Sequence, residues 1–302
     1  MTPHGFLRRV VGCRIRGPMK GTPPMNTTPT STPRKAAPKD RARAIWAAGD
    51  YTRVADELIP SLGPALLDAV GDVAGDRLAD VAAGSGNVSI PAAKRGARVV
   101  ASDIVPQLLD AGRTRAAAAG VSIEWLEADA EALPFANESF DVTTSCVGVM
   151  FTPDHQLSAD ELVRVTRVGG RIGLLNWTPD GFIGRLFTTM AGHLPPGPSG
   201  ARPPASWGDV DYVAGLFGDR VDIVGVTRGT LVASAFRERG DFRRFFSTFY
   251  GPTVMALAQL DGDPDATRAL ADDIDDLAEE FTHADGMHWD YLIVTGRRRA
   301  DS

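Results

Sequence analysis

The chain has 302 residues, 43% of them hydrophobic and 23% charged, with a formal charge of -6, which suits a globular fold and excludes collagen-like, mucin-like and fully disordered chains. Apolar runs meet a charge, Gly or Pro well short of the roughly 18 residues a spanning helix needs, so a soluble chain without a membrane span is expected. Cys13 and Cys146 cannot build a disulfide framework and neither sits at metal-ligand spacing, which points to a reducing, cytoplasmic setting and no metal.

Residues 1–40 carry eight basic residues against the single acid Asp40 and are dense in Thr and Pro from Thr22 to Pro38. They predict a disordered leader, with Met19 and Met25 as alternative starts. Arg8-Arg9 precedes an apolar run, Val10 to Cys13, too short for an export signal. The remainder, 41–302, is acidic and reads as one domain, which disfavours a nucleic-acid surface.

Helical patterning runs from Ala44 to Val70. Arg77-Leu78-Ala79-Asp80-Val81-Ala82-Ala83 is a short apolar run ending in glycines, as a buried parallel strand requires. Gly84-Ser85-Gly86-Asn87 then feeds a helix, with Asn87 or Ser89 as its cap and Pro91 in its first turn. Arg98 to Asp103 is a second strand, and Pro106 opens a helix that Gly120 stops. Val121, Ile123 and Trp125 alternate with polar residues in a third strand, and Phe140 to Met150 forms a fourth. Ser158-Ala159-Asp160-Glu161 reads as a capping box, Gly169-Gly170 as the end of its helix, and Arg171 to Trp177 as a fifth strand. Beyond lie a helix from Tyr212 to Phe217, two strand-like runs (Val221 to Thr227, Thr230 to Ala235), an aromatic helical stretch from Phe242 to Leu260, an acidic helix from Ala266 to Phe281 and a last strand from Tyr291 to Thr295. Five strands alternating with helices predict an α/β, doubly wound, mostly parallel sheet with helices on both faces.

Asp80 and the Gly84/Gly86 loop, followed by Asp103 at the end of the next strand, carry the chemistry. Glycines let a ligand approach the backbone, the following helix start favours an anionic group, and a second carboxylate can accept two ribose hydroxyls, so a nucleoside cofactor is expected. A third glycine near Ser89 is missing, which disfavours NAD.

With Glu127-Ala128-Asp129-Ala130-Glu131-Ala132-Leu133-Pro134-Phe135 and Phe140-Asp141, the run from Trp46 to Trp177 resembles the class I S-adenosylmethionine-dependent methyltransferases, in their ubiquinone/menaquinone-biosynthesis and natural-product branch. The resemblance implies a Rossmann-like core at 76–177, cofactor-covering helices at 41–75, and an acceptor-binding region with a helical lid and the final strands at 178–302. It further implies that Asp80 and the Gly84 to Gly86 loop hold the methionine end of S-adenosyl-L-methionine, that Ala82 and Asn87 also meet the cofactor, that Asp103 grips the ribose and that Ile104 packs on adenine. Asp129 and the backbone of Ala130 would meet the adenine edge, and Ser145, Cys146 and Val147 would lie beside the sulfonium. Two departures stand out: Ala82 replaces a glycine, which a negative φ would accommodate, and Val168 stands where a proline usually precedes the glycine pair.

An aromatic face at Tyr51 would stabilise the sulfonium charge by roughly 0.5–2 kcal/mol. His155, following the fourth strand on the ligand-binding edge, is the candidate catalytic base, ahead of His193, His283 and His288. Cys146 otherwise reads as a small buried thiol, and the acids from Asp272 to Glu280 as a solvated helix face. The expected activity is methylation of a hydrophobic small molecule, aromatic, quinone-like or polyketide-like. The alternative is an S-adenosylmethionine-binding protein that no longer transfers methyl. The oligomeric state is left open, with a homodimer among the options.

Overall fold

The computed structural model describes residues 38–196 and 200–300; the leader lies outside them, except that its last residues already begin the first helix. Helices α1 (Pro38–Ala47), α2 (Tyr51–Glu57) and α3 (Leu62–Val70) precede the strand–helix units β1 (Arg77–Val81), α4 (Ser89–Lys94), β2 (Arg98–Asp103), α5 (Pro106–Ala118), β3 (Glu124–Glu127), β4 (Phe140–Cys146), α6 (His155–Val165) and β5 (Thr166–Trp177). Then come α7 (Phe182–His193), α8 (Val210–Phe217), β6 (Val221–Ala233), α9 (Asp241–Phe249), α10 (Gly251–Gln259), α11 (Pro264–Glu280), β7 (Thr282–His283) and β8 (Gly286–Arg298). The sheet runs β3-β2-β1-β4-β5-β8-β6, parallel from β3 to β5, with β8 antiparallel to both β5 and β6. Its strand order reverses between β1 and β4, which opens a crevice at their carboxyl ends.

Leu78, Ala79, Val81, Val142, Ile172, Leu174 and Leu175 have no exposed surface, as strands covered on both faces require. Close approach depends on Gly173, whose missing Cβ would stand 2.3 Å from Val70 Cγ2, so α3 seats directly on β5.

Several boundaries differ from the sequence expectation. Helix α6 starts at His155, because Asp154 accepts from the backbone N–H of Gln156 and Leu157 (3.0 and 3.1 Å). Ser158 Oγ instead bonds Thr152 Oγ1, and Glu161 holds Arg164 and the Leu133 N–H. Gly169-Gly170 lies within β5 rather than ending a helix. The third strand begins only at Glu124. The two strand-like runs after Val221 form one strand, because Gly229 leaves room for the Tyr291 ring of β8, and β8 itself extends well beyond Tyr291 to Thr295. The aromatic helical stretch breaks at Tyr250, where Pro252 opens α10 and Gly251 presses on the Ile45 carbonyl. The acids of α11 are not merely solvated: Asp273 pairs with His193, Asp275 with Arg243, Asp276 and Glu279 with Arg239, and Glu280 with Arg185, tying α11 to α7 and α9.

Candidate functional site

A cleft of about 920 Å³, its open mouth included, lies over the carboxyl ends of β1, β2 and β4. Ten of the residues anticipated from sequence border it: Tyr51, Ala82, Gly84, Asn87, Asp103, Ile104, Asp129, Ala130, Cys146 and Val147. Asp80, Gly86 and Ser145 stand behind it. Asp80 accepts from Ser89 Oγ (2.6 Å) and Thr144 Oγ1 (3.3 Å), so it fastens the start of α4 to the sheet. Burial raises its pKa to about 7. Gly86 is needed for packing, since a Cβ there would come within 2.7 Å of the Trp125 ring. Ser145 Oγ donates to Val81 O (2.8 Å) and accepts from Val149 N (3.0 Å), joining the exit of β4 to β1.

Asp103 faces the cleft with a carboxylate already oriented by the chain: Oδ2 accepts from Gly84 N (2.8 Å) and Oδ1 from Val105 N (2.9 Å). Burial raises its pKa against the lowering effect of those donors. A Cβ on Gly84 would project to 3.8 Å from Tyr51 Cε1, into the gap between loop and ring. That gap is the cradle a ligand would fill. Neither Asn87 nor Ser89 caps α4; Asn87 Nδ2 donates instead to Ala55 O and Ile59 O of the α2 segment (3.1 and 3.4 Å). Ala82 has φ +54°, not the negative value expected, and Val147 also lies in the left-handed region at φ +52°. For a β-branched residue this is a strained conformation, held by the Val147 N–H bond to Leu175 O (2.7 Å).

Opposite the loop stand aromatic rings. Trp46 is edge-on to Tyr51 (5.3 Å between centroids) and Phe151 (4.5 Å), and all three border the cleft. Burial, with Cys146 and Asp103 nearby, raises the Tyr51 pKa, and burial likewise raises that of the Cys146 thiol, so both stay protonated at neutral pH. At the other end Lys39 Nζ bridges Asp129 and Glu131, while Arg43 bonds Ile104 O (3.0 Å) and Glu127 (2.6 Å), seating α1 on the acidic rim.

His155 does not border the cleft. The turn Val149–Phe151 points Phe151, Thr152 and Pro153 into the cleft and carries His155 away, to a 2.8 Å contact with Tyr212 Oη and an edge contact with Trp207. Burial lowers its pKa. His193, His283 and His288 do not border it either. Trp46 and Phe151 are bordering residues that sequence reasoning left out of the site; Phe151 follows β4 in the same stretch that suggested His155, and Lys39 fell in the expected leader. Among the described residues no cluster of His, Cys, Asp and Glu is arranged to hold a metal, and no helix is long and apolar enough to cross a membrane.

Residues 79–174 match the family described as Methyltransferase domain. Rv1403c, an uncharacterized protein of Mycobacterium tuberculosis, is 47% identical over 272 residues, covering 90% of this chain and 99% of that protein. A demethylmenaquinone methyltransferase of Clavibacter sepedonicus is 43% identical over 104 residues, 34% of this chain and 42% of that one. In fold, a crystal structure of a putative methyltransferase from Bacillus halodurans superposes with a TM-score of 0.56 at 17% identity, over 80% of this chain and all of that one. A cleft with an oriented carboxylate at Asp103 and a glycine cradle at Gly84 suits an adenosyl amino acid, so the donor set fits S-adenosylmethionine as cofactor. The strand order, the acid-and-glycine crevice and the matched domain agree, and the chain belongs to the class I S-adenosylmethionine-dependent methyltransferases.

Proposed function

We propose that this methyltransferase acts on a hydrophobic small molecule, aromatic, quinone-like or polyketide-like, by in-line displacement. The observation that carries this reading is the continuity of the cleft: from the Asp103 carboxylate it runs to an uncharged wall of Trp46, Tyr51, Phe151, Ala55 and Ile59. Such a wall favours a flat apolar acceptor. The demethylmenaquinone methyltransferase relative supports a quinone-like one over the part of the chain it matches.

In this reading Asp103 accepts the ribose hydroxyls, Ile104 covers adenine, and Asp129 with the Ala130 backbone meets the adenine edge. Ala82, Gly84 and Asn87 border the methionine end, with Asp80 and Gly86 shaping that loop from behind. Cys146 and Val147 border the reacting centre, and Ser145 holds their strand in place. S-adenosylmethionine supplies an electrophilic methyl group on a sulfonium sulfur. Tyr51 presents an aromatic face to that positive charge, worth roughly 0.5–2 kcal/mol. Trp46, Tyr51 and Phe151 exclude water, and the chain acts mainly by positioning, which is capable of removing about 7–11 kcal/mol of a barrier. With His155 turned away and Tyr51 and Cys146 held protonated, no side chain bordering the reacting end is set up as a base. Calorimetry with S-adenosylhomocysteine, followed by mass detection of methylated products across a panel of phenols, quinones and amines, tests the reading. Tight cofactor binding with no product from any class would return the alternative, a cofactor-binding partner subunit.

A further inference from the structure

The loop that borders the methionine end is also braced from behind by a guanidinium. Arg115, near the end of α5, donates from Nη1 to Ser85 O (2.7 Å), Ser85 Oγ (2.8 Å) and Asn87 Oδ1 (3.1 Å). Its Nη2 pairs with Asp56 of α2. Ser85 and Asn87 border the cleft; Arg115 and Asp56 do not. Asn87 Nδ2 in turn reaches the carbonyls of Ala55 and Ile59, so α5, the loop and the α2 segment share one network.

We propose that Arg115 is the positioning residue that sets affinity for the amino-acid end of the cofactor, acting through Ser85 and Asn87 without touching it. A carbonyl oxygen aimed into the cleft would repel a ligand carboxylate. Arg115 turns the Ser85 carbonyl away from the cleft and fixes the Ser85 hydroxyl and the Asn87 amide in the same stroke. Its planar fork serves Asp56 and the loop at once in a fixed geometry that an ammonium lacks. The pairing also couples the loop to α2, whose first residue is Tyr51, so one side chain ties the loop wall of the cradle to the helix that carries the opposite wall.

This inference rests on the reading that residues 84–87 hold the methionine end, and one pair of probes separates the two. Calorimetry is run with S-adenosylhomocysteine and with 5′-methylthioadenosine, which keeps the adenosine and lacks the amino acid. Wild-type protein is expected to prefer S-adenosylhomocysteine. In Arg115→Met its Kd should rise about tenfold, the loss of one or more charge-assisted hydrogen bonds, while that of 5′-methylthioadenosine stays within about twofold. Arg115→Lys should fall between. The inference is overturned if Arg115→Met keeps the wild-type preference, or loses affinity for both probes alike while its melting transition is intact. Arg115→Gln takes its place if the Met variant does not fold; it keeps a donor for Ser85 O but loses the charge and the Asp56 pair, so a smaller fall in preference, about threefold, is expected, and an unchanged preference overturns the inference. A wild-type protein that binds both probes equally would overturn the reading of the loop itself.

Discussion

Ala82 and Gly148 face each other across the junction of β1 and β4. A Cβ at position 148 would stand 2.8 Å from the Ala82 Cβ and 2.7 Å from the Ala82 carbonyl oxygen. The methyl group that Ala82 brings to a left-handed position is therefore accommodated by the side chain that Gly148 lacks, on the turn that leads from the cleft into α6.

Two substitutions follow from this contact. Ala82→Gly removes the left-handed strain and should stabilise the fold by about 1 kcal/mol, since an L-residue in that conformation costs about 1–2 kcal/mol. Gly148→Ala should destabilise by about 1–3 kcal/mol, as overpacking does. Combining them should recover only part of the loss, because the Ala82 carbonyl and Ser145 Oγ would still crowd the new methyl. Urea midpoints for the four proteins check the order.

Asp80 makes stability depend on pH. Its pKa rises from 3.8 to about 7 on folding, so the folded chain binds a proton that the unfolded chain has released. Its contribution is fully present below pH 4 and is lost as pH rises through 7. Asp80→Asn should flatten this part of the pH–stability curve, measured by denaturant titration from pH 4 to 8. An unchanged slope would assign it to another group.

Lys39 holds the carboxylate of Asp129, which the proposed function assigns to the adenine edge. Its ammonium bridges part-exposed Asp129 and buried Glu131, and the Asp129 pair, open to solvent, contributes about 0.2–1 kcal/mol. If Asp129 takes the adenine amino group, Lys39→Met should tighten S-adenosylhomocysteine binding by up to about fivefold and reduce its salt dependence. Weaker binding in the variant would show that the ammonium helps the ligand.

Gly49 is the joint between α1 and α2. At φ +75° it bridges Tyr250, Asp50 N donates to Phe249 O (3.0 Å), and a Cβ would lie 2.6 Å from that carbonyl. Gly49→Ala should cost about 1–3 kcal/mol, and it should weaken S-adenosylhomocysteine binding, because the two helices carry Trp46 and Tyr51. Calorimetry and thermal melting measure the two effects separately.

The alternation of strands and helices, the parallel core and the placement of Asp103 at a strand end were legible in the sequence. Each is written in neighbouring residues, as an apolar run, a glycine stop or a spacing within one crossover unit. The backbone of Ala82 was not, because the room for its methyl comes from Gly148, on the turn after β4. Nor was the direction of His155, which a single turn at Val149–Phe151 reverses, or the difference between Gly84, which opens the cradle, and Gly86, which admits Trp125. Lys39 and Trp46 reach the cleft, and Arg115 braces it, through contacts between residues far apart in the chain. No local period records such contacts; they exist only once the sheet has brought its crossover units together.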